Sequence, residues 1–317
     1  MIRLDHAYAL AGIMFLAFAV LSAADRSHRR RWGNAAFWGL VAVSFLFGGQ
    51  IGDFGNGLLV IALGLLAGLG ALGSGGGATT SQEDREAGAR RFGNWLFLPA
   101  LAIPAVTIFG ALVLKHGRLG GGPLLQPGQE TLVSLALGAA TALVLALALF
   151  RPPPVAPLQE GRRLADTVSW AGLLPQTLAA LGAVFALAGV GQAVGGLIGQ
   201  GAPLGSRAVA VCAYTLGMAG FTALMGNAFA AFPVMTAAIG LPVLVKGFGG
   251  DPAVVGAIGM LSGFCGTLTT PMAANFNVVP TTLLELGDRW AVIRVQLPTA
   301  LALLAVNTLL LQALAFR

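Results

Sequence analysis

Charged side chains are scarce in this chain of 317 residues: only 9% are Asp, Glu, Lys or Arg, while 56% are hydrophobic and the mean hydropathy is +0.83. That balance excludes a water-soluble globular domain, and several apolar runs reach the length of about 20 residues that a helix needs to cross a bilayer. Cysteine is nearly absent. Cys212 and Cys265 lie inside apolar runs with no CxxC or Cys/His spacing, so neither a disulfide framework nor a zinc site has support. The three histidines, His6, His28 and His116, fall at span ends or in loops. No GxSxG, HExxH or Walker loop occurs and no pair of acids lies within a span, so an intramembrane enzyme and an ATPase are both disfavoured. The net charge of +6 sits in short loops instead of one face or tail, which argues against nucleic acid and for the lipid bilayer as the partner of the basic residues. No positively charged region precedes the first apolar run, and a basic cluster follows it, so that run reads as a retained span instead of a cleaved signal.

What remains is an all-α, polytopic transmembrane protein. Apolar runs predict spans near 5–24, 34–51, 56–73, 93–114, 129–150, 168–190, 207–225, 228–246, 252–284 and 292–315. Twelve of the eighteen lysines and arginines fall on one side of this arrangement. They are Arg26, Arg29, Arg30, Arg31, Arg85, Arg90, Arg91, Arg151, Arg162, Arg163, Arg289 and Arg294. Arg3, Lys115, Arg118, Arg207, Lys246 and Arg317 fall on the other. The richer side is expected to be cytoplasmic, with the N-terminus and C-terminus both extracytoplasmic. The glycine-rich and then charged stretch 73–91 suits a flexible connector, and the proline-rich stretch 151–163 suits a stiff boundary. The chain is therefore divided into an N-terminal scaffold part, 1–165, and a C-terminal transport part, 166–317.

Two polar interruptions mark the C-terminal part. Gly226 and Asn227 separate apolar runs of nearly equal length, which predicts a re-entrant hairpin over 207–246. Gly266, Thr267, Thr269, Thr270, Pro271, Asn275 and Asn277 interrupt 252–284, which is too long for one simple span and predicts a discontinuous helix. An unsatisfied backbone group in hydrocarbon costs several kcal/mol, so irregular backbone persists there only when protein or a water-filled cavity covers it. Transporters use such breaks to present helix ends to solutes at membrane depth. Between Arg207 and Lys246 the only ionisable side chains are Cys212 and Tyr214, and between Asp251 and Glu285 only Cys265. A substrate carboxylate would have to be held by N–H groups at the half-helix starts after Asn227 and Asn275, helped by threonine hydroxyls and asparagine amides. The same carbonyls admit Na⁺, and Na⁺ or H⁺ is the coupling ion this reading allows. Packing alone is the competing reading, since threonine back-bonds to helix carbonyls and glycine lets helices approach.

The stretches MGNAFAAFPVMTAAIGLP and CGTLTTPMAANFNVVP, with DHAYALAGIMFLAFAV and RRFGNWLFLPALAIP nearer the N-terminus, resemble a family of bacterial membrane proteins described as one subunit of a two-component 5-oxoproline (pyroglutamate) transporter. The resemblance covers essentially the whole chain. It implies residence in the bacterial inner membrane, uptake of 5-oxoproline or a similar carboxylate, and a second membrane subunit. A more distant similarity links the breaks to divalent-anion/Na⁺ symporters of the ion-transporter superfamily, which carry Ser-Asn-Thr at hairpin tips and Thr-Pro followed by Asn in the next unwound helix. Here only Asn227 matches the first motif, and Thr270-Pro271 with Asn275 matches the second loosely. Those symporters contain two inverted repeats, whereas this sequence shows one convincing copy, so a partner is expected to supply the missing half. The alternative function is a non-conducting scaffold or assembly subunit.

Overall fold

In hydrocarbon each segment has to satisfy its backbone hydrogen bonds internally, and the chain does so almost entirely with helices. The computed structural model describes residues 1–73, 81–119, 122–201, 204–284 and 286–316. Of the expected connector, residues 74–80 lie outside the described residues, as do Glu285 and Arg317. Seven helices among the described residues are long and apolar enough to cross a membrane. The chain divides into two compact units, Met1–Asp166 and Thr167–Arg317.

The first unit holds α1 (Leu4–Ala24), α2 (Arg31–Gly68), α3 (Gln82–Phe92), α4 (Phe97–Leu112), α5 (Glu130–Phe150) and most of α6 (Ala156–Val168). As a straight rod α2 would be about 57 Å long at the helical rise. It is not straight. Gly52 takes φ +74 and ψ +174, outside the helical region, and the residues after α2 return to its start. Asn34 Nδ2 donates to the Gly73 carbonyl and the Gly73 N–H donates back to Asn34 Oδ1, each at 2.9 Å, while Arg30 Nη1 reaches the Leu72 carbonyl at 2.7 Å. So α2 is a helical hairpin whose arms match the separate runs at 34–51 and 56–73. Phe15, Phe18, Phe37, Trp38 and Phe45 form the aromatic core between α1 and α2.

The stretch expected as a flexible connector and the one expected as a stiff boundary are both helical in part. Ser81 starts α3 with a capping box, its hydroxyl accepting from the Asp84 N–H and the Asp84 carboxylate accepting from the Ser81 N–H. After the prolines of 151–154, α6 begins at Ala156 and is amphipathic, a signal masked in the sequence by the proline run. Contacts also sort the ends of the unit. Ile2 pairs with Leu124 through its backbone N–H, beside a short hairpin of β1 (Arg118–Leu119) and β2 (Gly122–Pro123). This gathers Arg3, Lys115 and Arg118 at one end of α1. At the other end Arg162 Nη2 bonds Asp25 Oδ2 at 2.9 Å and Nη1 bonds the Leu21 carbonyl at 3.1 Å, tying α6 to the turn between α1 and α2.

Asp166, 3% exposed, closes that end by accepting a 2.6 Å hydrogen bond from Trp38 Nε1. Burial pushes its carboxyl above the ordinary value of 3.8, with the Trp38 hydrogen bond pulling the other way. The native state therefore holds this proton at a pH where the unfolded chain has released it. The stabilisation this brings is complete below 3.8 and is lost as pH rises through the native value. Asp166→Asn keeps an acceptor for Trp38 and carries no charge. We expect it to raise the thermal midpoint of the detergent-purified protein at neutral pH, with the gap closing toward the acid side; equal midpoints at every pH would show that the carboxylate carries no burial cost.

The second unit holds α7 (Leu174–Leu187), α8 (Val190–Gly201), α9 (Arg207–Met225), α10 (Ala228–Met235), a π-helix (Thr236–Val245), α11 (Pro252–Thr267), α12 (Ala274–Leu283) and α13 (Ala291–Leu314). The run expected as one span over 168–190 is broken: the chain bends by 71° at Gly189, where φ is +72, and continues as α8. Gly182, Gly191 and Gly195 let these two helices lie directly on Ala230, Ala237 and the Ala238 carbonyl. The core of the unit is built on Tyr214, Met218, Met235, Ile239, Leu244, Val255 and Leu311, all fully buried. The Tyr214 ring lies against Gly240 and Gly259, and its hydroxyl sits 3.3 Å from Thr236 Oγ1.

Candidate solute site at two helix breaks

The first break is made locally. Gly226 takes φ +76 and ψ +1, the left-handed cap that ends α9, and its N–H donates to the Thr222 carbonyl at 2.7 Å. Asn227 is extended and caps α10, its Oδ1 accepting from the Phe229 N–H at 2.7 Å. Both residues are buried. The tip is therefore a specified stop and restart, not a loop in solvent. Each arm is long and apolar enough to cross a membrane: α9 has 19 residues, about 28 Å, and α10 with the π-helix has 18.

The second break covers 268–273. At the end of α11, Thr267 Oγ1 donates to the Phe264 carbonyl at 2.6 Å, and Thr269 Oγ1 to the Gly266 carbonyl at 2.8 Å. Thr270 Oγ1 accepts from the Met272 N–H at 3.2 Å. Pro271 and Met272 are exposed, whereas Thr267, Thr270 and Asn277 are buried. Gly266 lies within α11 and not at the break; it rests on the Ala219 carbonyl, letting α11 approach α9. Helix α12 starts at Ala274, so it begins before Asn275 and not after it as predicted. Asn275 is thus in the first turn of the helix. Its amide makes no hydrogen bond among the described residues, and the backbone N–H groups of Ala274 and Asn275 make none either.

Asn277 behaves differently. It is fully buried, and its Nδ2 donates to the Thr267 carbonyl at 2.8 Å and the Thr270 carbonyl at 2.7 Å. Both amide hydrogens are thereby spent on the unwound backbone, and Oδ1 is left buried without a partner. Thr222 Oγ1, one turn before Gly226, is another buried oxygen without a partner. The predicted residues divide accordingly: Asn277, Thr267, Thr269 and Thr270 hold the break together, while the Asn275 amide and the Asn227 Nδ2 group make no hydrogen bond among the described residues and are left available.

The two breaks meet. A Cβ on Gly226 would stand 2.5 Å from the Met272 carbonyl oxygen, so the bare glycine lets the unwound segment lie across the hairpin tip. The starts of α10 and α12 and the ends of α9 and α11 belong to these two breaks. Helix starts expose N–H groups and positive dipole ends, and helix ends expose carbonyls, so the arrangement offers donors for an anion and acceptors for an N–H or a cation. Depth follows from the pairing of Thr215 Oγ1 with Thr308 Oγ1 at 2.8 Å. From that level Gly226 is about 16 Å along α9 and Ala291 about 26 Å along α13, so the breaks lie about 10 Å short of the level where α13 begins. No group of three or more His, Cys, Asp or Glu that could hold a metal ion occurs among the described residues.

The contact between α7–α8 and α10 was not foreseen from the sequence; glycines at 182, 191 and 195 were its signal, lost among 46 glycines. Neither the curated proteins nor the solved structures contain a significant match to the chain. A family profile described as "Protein of unknown function (DUF979)" matches residues 5–316, nearly the full length, and the chain with its two abutting helix breaks belongs to that family.

Proposed function

We propose that this protein is the membrane subunit of a secondary transporter for a small anionic solute, 5-oxoproline or a similar carboxylate, in the bacterial inner membrane. The observation that carries the reading is the contact of the Gly226 turn with the Met272 carbonyl, which joins two broken helices in a unit without a lysine or arginine near either break. A carboxylate would be held by the N–H groups of Ala274 and Asn275 and by the Asn275 amide; a lactam N–H would complement the carbonyl-rich helix ends. Na⁺ or H⁺ is the coupling ion, and a second membrane subunit supplies the other half of the site. Both termini lie on the extracytoplasmic side, which leaves the arginine-rich ends of the helices in the cytoplasm.

A second reading has one observation in its favour. The threonine hydroxyls and the Asn277 amide are spent on the protein's own carbonyls, as they would be in a non-conducting scaffold subunit. Uptake of labelled 5-oxoproline by cells expressing the chain with its partner separates the two. Asn275→Ala, at matched membrane abundance, is expected to lower uptake at least tenfold, about 1.4 kcal/mol of lost binding or transition-state stabilisation. Unchanged uptake would move the solute path to the partner, and no uptake by the wild type would remove 5-oxoproline as the substrate.

A further inference from the structure

The turn between α1 and α2 carries Arg26, Arg29, Arg30 and Arg31 within six residues, and none of the four is in an ion pair among the described residues. The acids nearby are already engaged. Asp25 accepts from Ser27 Oγ at 2.6 Å and from Arg162 at 2.9 Å, Glu160 pairs with Arg163 at 2.8 Å, and Asp166 is buried on Trp38. With its Ser27 and Arg162 hydrogen bonds the Asp25 carboxyl is held down at about 2, so its charge stays committed to those partners across the physiological range. The exposed charge of this turn is therefore uniformly positive.

The turn is also rigid and correctly levelled. Arg162 fastens it to α6, and Arg30 Nη1 fastens it to the Leu72 carbonyl. It follows 21 residues of α1, about 31 Å of helix, which is the thickness of the hydrocarbon core, so it stands at the headgroup level. Trp32, 66% exposed, lies beside it with the Arg31 guanidinium 5.1 Å from the ring centroid. An exposed indole belongs at the same level, apolar body toward the chains and N–H toward the headgroups. On α6, which is tied to the same turn, Leu158 and Leu164 are exposed and can sit among the upper acyl carbons.

We infer that the α1–α2 turn, with Trp32 and α6, is a binding surface for anionic phospholipid, its guanidinium groups clamping headgroup phosphates. Guanidinium forks match phosphate oxygens, and Arg26 and Arg29 have no competing carboxylate. An arginine near an anionic surface is worth about fivefold in local lipid enrichment. This surface belongs to the first unit alone and does not depend on what the protein transports.

The test uses the full chain in nanodiscs of phosphatidylcholine or of an equimolar phosphatidylcholine–phosphatidylglycerol mixture. Fluorescence of Trp32, isolated as the difference between wild type and Trp32→Phe, is quenched with brominated phosphatidylglycerol or brominated phosphatidylcholine. Wild type is expected to raise the phosphatidylglycerol-to-phosphatidylcholine ratio at Trp32 about fivefold or more over the bulk ratio, with the enrichment shrinking as salt is added. The double variant Arg26→Gln/Arg29→Gln should lose most of it, while Lys115→Gln/Arg118→Gln, which removes the same charge at the opposite end of α1, should not. Wild-type enrichment near the bulk ratio overturns the assignment, whether or not the variants fold. So does enrichment unchanged in the double variant. Displacement by inorganic phosphate at the lipid's own concentration would overturn the lipid as the ligand in favour of phosphate as such.

Discussion

Gly226→Ala is expected to abolish uptake and to destabilise the second unit. The residue stands at φ +76, where a β-carbon costs roughly 1–2 kcal/mol. The added carbon would also lie 2.5 Å from the Met272 carbonyl oxygen and 2.6 Å from its carbonyl carbon. These are backbone atoms, so no rotamer change relieves the overlap, and the unwound segment has to lift from the hairpin tip. Overpacking of this kind typically costs about 1–3 kcal/mol more. Together the two effects predict a loss of roughly 2–5 kcal/mol. Gly220→Ala is the control: it lies on the same helix, has a helical backbone, and its β-carbon would meet nothing within 4 Å. It should leave the thermal midpoint unchanged or slightly raised, because alanine is the better helix former. Equal midpoints and equal uptake for the two variants would mean that the breaks do not press on one another.

Asn277→Ala is the second large effect, and its signature differs. The substitution removes the two amide hydrogens that Asn277 donates to the Thr267 and Thr270 carbonyls, at a position with no access to water. The Thr267 carbonyl is left unpaired, which costs about 1–3 kcal/mol, while the Thr270 carbonyl keeps the Ala273 N–H at 3.3 Å. The loss should be local first: amide hydrogen exchange of 268–273 and of the first turn of α12 should accelerate before the rest of the unit responds. Asn277→Asp should be no better, since a carboxylate facing two carbonyls repels where the amide donates. Asn275→Ala supplies the contrast, because its amide makes no hydrogen bond among the described residues and its loss should leave the thermal midpoint in place while lowering uptake. If Asn277→Ala leaves both the exchange of 268–273 and the midpoint unchanged, the amide does not staple the break.

The fold class was legible because hydrocarbon is an unforgiving solvent. Runs of apolar residues about as long as a bilayer is thick leave the backbone little choice but helix, and 34–51 and 56–73 read as separate runs on either side of the Gly52 reversal. The stops at Gly226 and in 268–273 were visible for a related reason, since polar residues with glycine or proline inside such runs are costly in lipid unless the helix breaks there and protein covers the break. The bend at Gly189 carried no such mark, because a glycine among alanines and valines is indistinguishable from those that merely allow packing. Helix α6 was hidden by Pro152, Pro153, Pro154 and Pro157, the last of which lies in its first turn.

The division of labour at the breaks belongs to a different level. Composition placed Thr267, Thr269, Thr270, Asn275 and Asn277 in one stretch and could not tell them apart, because each is a short polar side chain able to donate or accept. Whether a hydroxyl turns back to its own helix, as those of Thr267 and Thr269 do, depends on local rotamers, and the Asn277 amide reaches seven to ten residues back to its acceptors. Sequence alone determined that this chain has helices of membrane-spanning length and that two of its apolar runs break at Gly226 and within 268–273, since those follow from the cost of polar groups in lipid. Only the tertiary structure decided which polar groups are consumed in holding the breaks, and that the two breaks touch at Gly226 and Met272, because hydrogen-bond partners and close approaches are set by three-dimensional packing between segments distant in the chain.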